Sequence, residues 1–534
     1  MKFDEFFFSH IGEFGKYQAI QFFLLCLPTI FTAMHSLSWT FTAPDVKHRC
    51  RLPDEPTDAN YWINPVIHKD IPLKEDCKDL GNVTENCAYQ PCTYRLSSSC
   101  PNGYIYDTSK VTYSAIHRWD VVCDQTIWRA VIQSTYYVGQ MAGSIVFGIL
   151  GDKYGRKKIY LVALGMQIFG GFYSPLAHNL IVFGFLRFIL GFSHPGLFMI
   201  SIIMMMEMIG PSKRRLPATI AGTSFAFGEI LLGILANHFR NYIDLQTMIG
   251  VPSAIFLSYY WFICESIRWL VSKKKYKKAD EILKIAGDFN NAQIPDKWWT
   301  ALETEDESTA FTGINPARTY GYFDLFKTPK LRRRALISFF CWPVVSMIFY
   351  GVSMKPDFLG GDPYMAFIIG GIMEIPALLF MFFTVNRVGR KPLLAIGYFV
   401  CAACMLISQS ISHYQVHWLI NMVLYAIVKA SITCVYTTIY TFTPELFPTV
   451  IRNSAMGLCS TFSRLGAIIA SYVSFWLVTE YGNIFMVIPF AILSLLAGLL
   501  VLIFLPETVG KPLLETIEEL EEGEKNTELL TIDE

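Results

Sequence analysis

Charge of either sign is scarce in this chain. Only 16% of its 534 residues are charged, against about a quarter in a soluble domain. The 44 basic side chains are matched by 44 acidic ones, so no general basic face exists to hold nucleic acid. Catalytic signatures are missing too: no HExxH, GxGxxG, Walker A or GxSxG element occurs. An enzyme is therefore not expected, and no cofactor or metal is called for. The one metal-like spacing, His413 and His417, falls in a short loop and reads as surface histidines. No cleavable signal peptide opens the chain; Asp4, Glu5 and Glu13 are mixed with phenylalanines, which suggests a short amphipathic helix.

Apolar residues are abundant: they make up 53% of the chain, and mean hydropathy is +0.37. They arrive in blocks long enough to cross a hydrocarbon core, which takes about 20 residues of helix. Twelve segments qualify: 18–39, 130–150, 159–177, 181–208, 217–238, 247–264, 335–353, 363–384, 392–411, 417–442, 454–478 and 483–505. The expected fold is an all-α membrane protein with two six-helix bundles. Residues 1–17 precede the first bundle, 18–264, which contains a long loop at 41–126. A linker at 265–334, the second bundle at 335–505 and an acidic tail at 506–534 follow.

Orientation follows from the short loops. Lys153, Arg156, Lys157, Lys158, Lys213, Arg214, Arg215, Arg387, Arg390, Lys391 and Arg452 lie on one side, and only Arg240 and Lys355 on the other. The basic side, with both termini, is expected to be cytosolic. The 41–126 loop is then extracellular, and it holds six of the 13 cysteines: Cys50, Cys77, Cys87, Cys92, Cys100 and Cys123. Six cysteines allow fifteen pairings, among which sequence does not choose. The same loop carries a glycosylation sequon at Asn82. Lysines at 273–278 and Arg332–Arg334 are placed to meet anionic lipid.

The halves repeat one another. Asp152-Lys-Tyr-Gly-Arg156-Lys157 matches Asn386-Arg-Val-Gly-Arg390-Lys391; Glu207 and Arg214 match Glu445 and Arg452; Glu265 matches Glu507. A parallel repeat of this kind is how transporters are built, with the solute site between the halves near the midplane.

These residues resemble the major facilitator superfamily. Glu207-Met-Ile-Gly-Pro211, Glu265-Ser-Ile-Arg268, Glu374-Ile-Pro-Ala377, Pro444-Glu445-Leu-Phe-Pro448 through Arg452, and Pro506-Glu507-Thr-Val-Gly-Lys-Pro512 are similar to the organic-ion carriers of solute carrier family 22. The chain departs from that pattern at Ile267, where a proline is usual, and at Asn386, where an aspartate is usual.

Five charges sit well inside the spans: Arg187, Glu229, Glu374, Lys429 and Arg464. Each costs about 2.5–3.5 kcal/mol at the bilayer centre on insertion scales and so needs a partner or a wet cavity. At about 1.5 Å per residue, Glu374 and Arg464 both fall near the midplane. The resemblance implies that an acid at 374 suits cations or zwitterions and a base at 464 suits anions or zwitterions; the plainer reading is that the two neutralise one another. Lys429 either tunes the cavity or satisfies a carbonyl. Glu229 is expected to pair with Arg187, or else to hold a coupling proton or Na⁺. Trp342, Phe349, Tyr350, Tyr436 and Phe225 line the pocket of organic-cation carriers by resemblance, and aromatic faces attract ammonium groups. Plain core packing accounts for each of them equally well.

At the basic rim, Asp152, Arg156, Glu207, Arg214, Glu265, Arg268, Arg390, Glu445 and Arg452 read either as a solvated face or as salt bridges joining the halves when that side is shut. The functional expectation is a plasma-membrane carrier of organic cations or zwitterions such as a carnitine-like betaine, working by alternating access. An organic-anion exchanger is the alternative. A cation would be driven inward by the membrane potential, about 2.3 kcal/mol per charge per 100 mV. A receptor or intramembrane enzyme is the reading from another class.

Overall fold

The computed structural model describes residues 7, 9–53, 55–56, 59–62, 92–93, 100–210, 213, 215–295, 298–300, 322–358, 361–411, 417–510, 514, 517 and 519–520. Among the described residues, ten helices are long and apolar enough to cross a membrane. They are α1 (Lys16–Leu37), α3 (Arg156–Tyr173), α4 (Leu180–Glu207), α5 (Leu216–His238), α7 (Pro329–Met354), α8 (Pro363–Thr384), α9 (Arg390–Ile411), α10 (Trp418–Leu446), α11 (Thr449–Tyr472) and α12 (Ile484–Phe504). Two more helices occupy the remaining expected spans. α2 (Ile127–Tyr154) is long but carries buried Gln133, Ser134 and Gln140. α6 (Tyr242–Gly250) tightens at Pro252 into a 3₁₀ stretch, Val251–Ser258, before a last turn at Tyr259–Phe262.

Local chemistry sets the helix ends. Asn179 caps α4 by accepting from Val182 N at 2.8 Å, and Asp362 caps α8 by accepting from Tyr364 N at 2.8 Å. Gly155 and Gly389 separate α2 from α3 and α8 from α9 at φ of 112° and 108°, which side chains with a Cβ avoid.

The packing repeats with an offset of six helices. α1 lies on α5 as α7 lies on α11, α2 on α4 as α8 on α10, and α3 on α4 as α9 on α10. Two seams join the halves, α2 with α11 and α5 with α8. This is the expected pair of six-helix bundles. The loop after α1 carries a short antiparallel pair, β1 (His48–Cys50) with β2 (Tyr104–Tyr106). Disulfides Cys50–Cys100 and Cys92–Cys123 hold this end of the molecule, called the loop end below. Cys77, Cys87 and Asn82 lie outside the described residues. The opposite face is the basic end. There the linker helix Tyr276–Asn290 contributes Leu283 and Ala286 to a small core with Phe7, Ile11 and Tyr17. Asn290 ties it to α1 by accepting from Tyr17 N at 3.0 Å.

Close approach of α2 and α4 depends on absent side chains. A Cβ on Gly143 would stand 2.1 Å from Phe192 O, and one on Gly191 would stand 1.9 Å from Tyr136 O. Small residues of this kind let backbones meet where no water drives helix association. Gly143→Ala is therefore expected to destabilise by about 1–3 kcal/mol through overpacking. Gly148→Ala, which meets open space, should leave the thermal melting curve of the purified protein unlowered.

Candidate functional site

The seam between α5 and α8 is drawn tight by Gly371, where a Cβ would stand 2.9 Å from Ile230 Cγ1, and by Gly233 against Ile368. This closeness brings Glu229 of the first bundle to Glu374 of the second. Lys429 on α10 fills the space facing them. Its Nζ is 2.6 Å from Glu374 Oε1 and 3.2 Å from Glu229 Oε2, and it also donates to Ser353 Oγ on α7. The same ammonium stands 4.1 Å from the Phe349 ring centroid. Glu229, Glu374 and Lys429 are at most 2% exposed. One lysine thus faces two carboxylates across the bundle interface.

This arrangement corrects the expected pairing of Glu229 with Arg187. α4 turns Arg187 into the first bundle, toward α1 and α2, whereas Glu229 faces α8. Arg187 is held by neutral acceptors: His35 O at 2.5 Å, Ser38 Oγ at 3.2 Å and Gln133 Oε1 at 2.6 Å. The Tyr136 ring covers its guanidinium at 4.7 Å. The plainer reading of Glu374 is corrected as well. Its counter-ion is Lys429, not Arg464, and Lys429 serves a carboxylate rather than a carbonyl.

Arg464 on α11 is 7% exposed and has no carboxylate partner among the described residues. Tyrosines surround it instead. Tyr436, Tyr440 and Tyr350 stand beside the guanidinium. The aromatic residues form a continuous wall. Phe349 meets Tyr436 at 5.1 Å, Tyr436 meets Tyr440 at 5.5 Å, and Tyr440 meets Trp342 at 4.5 Å. Trp342 donates from Nε1 to Thr443 Oγ1 at 3.0 Å. Tyr350 reaches across to Tyr137 of α2 at 5.0 Å. Phe225 belongs to the other half, against Phe198 at 6.0 Å and His194 at 6.3 Å. His194 is itself hydrogen-bonded to Tyr136 Oη at 2.9 Å. Phe349 therefore separates an acid-rich cluster from an isolated guanidinium.

Several participants escape a sequence reading. Tyr440 is four residues from Tyr436 and so on the same helix face, a signal that was available. Nothing marks His194, Tyr136 or Ser353. The loop-end clasp is equally silent in sequence: Asp45 bonds both Arg129 on α2 and Lys355 after α7, which draws the halves together there. Thr479 donates to Asp45 Oδ1 at 3.3 Å, and the Arg129 guanidinium lies 5.6 Å from the Phe475 ring. Burial alone would raise the Asp45 carboxyl, but Arg129 and Lys355 hold it well below the usual range. A cavity of about 360 Å³ opens beside the clasp, lined in part by Lys110, Arg240, Asp357 and Tyr364.

At the basic end the repeated charges build the same joint twice. Glu265 accepts from Lys157 N at 2.9 Å, capping α3, and Glu507 accepts from Arg390 N at 3.1 Å and Lys391 N at 3.0 Å, capping α9. Carboxylates at helix N-termini are stabilised by the free N–H groups and the helix dipole. Arg156 bonds Glu207 at 3.2 Å and Asp152 at 2.6 Å, and Arg390 bonds Glu445 at 3.0 Å. Arg452 donates to Phe447 O at 3.4 Å, and Arg268 to Ile209 O at 3.5 Å. Between described residues each of these contacts closes within its own half, rather than joining the halves as the sequence suggests. The reason is local: each acid sits beside the helix N-terminus of its own repeat. Arg214 lies outside the described residues, as does His413. His417 caps α10 by accepting from Leu419 N at 3.3 Å. His48, Cys92 and Cys123 lie together with metal-like spacing, but the two sulfurs are joined to each other, which removes the thiolates a metal would need.

Lys429→Ala should be more damaging than either acid neutralisation. It leaves two buried carboxylates facing one another, about 3–5 kcal/mol of destabilisation, and a thermal melt of the purified protein against Glu374→Gln checks the order. At the loop end, Asp45→Asn leaves two cations opposed. Asp45 is about one-third exposed, so the loss is about 1 kcal/mol, or roughly five-fold, in closure. Labelling of a cysteine substituted at Phe41 should rise by that factor. Because the Asp45 carboxyl is lowered, its contribution is lost only on acidification below the ordinary carboxylate range, and labelling should be flat over about pH 5–8.

Comparison with known proteins agrees with this architecture. The family described as Sugar (and other) transporter matches residues 85–520. A Drosophila melanogaster organic cation transporter-like protein is 34% identical, covering 97% of this chain and 92% of its own. Xenopus laevis solute carrier family 22 member 6-B is 31% identical over 96% and 94%. Human organic cation/carnitine transporter 2 is 27% identical over 96% and 93%. Among solved structures, a partially occluded, inward-open xylose transporter XylE from E. coli superposes with a TM-score of 0.62 at 16% identity, over 93% of this chain and 100% of the other. With its twin bundles, its repeated rim motifs and these full-length relatives, the chain belongs to the sugar and other transporters of the major facilitator superfamily, within the solute carrier family 22 group, and is a multi-pass membrane transporter rather than an enzyme.

Proposed function

We propose that the protein carries small organic cations or zwitterions, a carnitine-like betaine among them, across the plasma membrane by alternating access. One observation carries the reading: Arg464 is buried without a carboxylate partner among the described residues, while beyond Phe349 two carboxylates face a single ammonium. A carboxylate on the solute suits the first position. A solute ammonium suits the second, assisted by the faces of Phe349 and Tyr436. The names of the Drosophila and human relatives point to the same solute class.

Alternating access needs rigid halves and contacts between them that can be exchanged. The paired rim joints, each closed within one half, favour rigid halves. The bonds that cross between the halves lie at the loop end, through Asp45 and Arg129, or at mid-depth, through Glu229, among the described residues. That distribution suits a carrier shut at the loop end, and the positive-inside bias of the short loops argues for that end being extracellular, with both termini in the cytosol. An organic-anion exchanger is the weaker reading, because Arg464 alone would have to serve it while Lys429 is already engaged.

Uptake of a quaternary amine, a betaine and a carboxylate into liposomes containing the purified protein tests this. Arg464→Ala removes a charge-assisted contact of about 1.5–3 kcal/mol, so betaine uptake should fall about 10–100-fold. Quaternary-amine uptake should fall far less, while Glu374→Gln should weaken both. Equal losses of amine and betaine in Arg464→Ala would refute the two-ended site.

A further inference from the structure

The central cluster has one carboxylate more than its lysine can balance. Glu229 and Glu374 both face Lys429, at 3.2 Å and 2.6 Å from its Nζ, so the two carboxyl groups share one ammonium. Glu229 Oε1 is buried with neither a hydrogen bond nor an ion pair among the described residues. The Tyr425 hydroxyl, buried beside both acids, also lacks a hydrogen bond. Among the described residues, the charged and titratable groups set around Glu229 are Glu374 from α8 and Lys429 and Tyr425 from α10, while α1 meets the neighbouring Gly228 through Ile30 and Ala33. Ser353 of α7 is engaged by Lys429.

With both acids ionised the cluster carries one uncompensated negative charge in a medium that solvates none. Two carboxylates in one site do not both stay ionised without a further positive charge. One added proton balances the cluster, and so does one solute ammonium. Adding both leaves a surplus positive charge. The two therefore compete for a single vacancy.

We infer that Glu229 is a proton-exchange site, so that the carrier trades one proton for one organic cation. This rests on the transporter reading above. The step is a simple exchange. On the side where the solute enters, the Glu229 O–H bond breaks and its proton passes to water. The carboxylate left behind pairs with the solute ammonium. On the far side the ammonium departs and water returns a proton to the same oxygen. Glu229 is suited to the role because it stands on the first bundle while Glu374 and Lys429 stand on the second. Any rocking along the α5–α8 seam changes what faces it.

For a monovalent cation this exchange moves no net charge. Accumulation should follow the pH gradient and not the membrane potential, which departs from the potential-driven uptake expected from sequence. The test uses the full chain in liposomes with tetraethylammonium as probe. An interior one pH unit more acidic than the exterior should drive about tenfold accumulation. Tetraethylammonium entry should alkalinise the lumen, read by a trapped pH dye, and a potassium–valinomycin potential should change neither. Whatever rate Glu229→Gln retains, its uptake should ignore the pH gradient. Glu229→Asp, which keeps the titratable group, should preserve the gradient response.

A second readout needs no transport. Infrared spectroscopy of the purified protein at neutral pH should show a protonated-carboxyl band that is absent in Glu229→Gln and disappears on adding tetraethylammonium. A band that tetraethylammonium leaves unchanged, uptake that follows the potential or a Na⁺ gradient, or protons moving with the solute would overturn the exchange. A band that Glu229→Gln leaves intact would overturn the assignment to Glu229. If the band behaves as stated but no amine, betaine or carboxylate accumulates, the proton site stands and the transport reading is what fails.

Discussion

An ammonium held between two carboxylates, where hydrocarbon supplies no solvation, is the constraint on which the interior depends. Lys429 is buried, so α10 is fixed by what its Nζ meets: Glu374 on α8, Ser353 on α7 and Glu229 on α5. Three of those four helices belong to one bundle, and the fourth brings the other bundle to them. The close α5–α8 seam, permitted by Gly233 and Gly371, exists at the depth where the charges must meet. Hydrophobic packing alone would let these helices slide along one another. Charge pairing sets their depth.

The two halves solve their other polar problems separately. Arg187 is buried without a counter-charge among the described residues and is held by two side-chain acceptors and a carbonyl within the first bundle. Glu265 and Glu507 close equivalent turns at Gly155 and Gly389, where a Cβ would stand 2.4 Å and 2.6 Å from the capping carboxylate. Each half is consequently a self-contained unit, and polar contacts between halves are few and concentrated. A structure of that kind concentrates the energetics of relative motion in a few side chains, Asp45 at one end and Glu229 at mid-depth.

Much of the site could be read one residue at a time. The apolar spans enclose Glu374, Lys429 and Arg464 in the sequence, and the aromatic residues Trp342, Phe349, Tyr350 and Tyr436 do gather on one wall around α7 and α10. Partnership was another matter. Glu229 was matched with Arg187 because both are charged and adjacent in helix order, but helix order does not say which way a side chain faces after bundling. Asp45 looked like one more loop residue. Its importance comes from standing where α2 and the turn after α7 converge, a meeting of residues 129 and 355 that no local pattern announces.

By itself the sequence determined the membrane character, the count and repeat of the helices, the family and which charges fall inside the spans. These are properties of a single helix against a uniform solvent, summed along the chain. Only the tertiary structure decided which charges meet, that the rim pairs close within each half, and that one guanidinium is left to tyrosines while two acids share a lysine. Those outcomes depend on how helices rotate and which glycines let them touch. Rotation about a helix axis costs nothing in an apolar solvent until a neighbouring helix makes one face different from the rest.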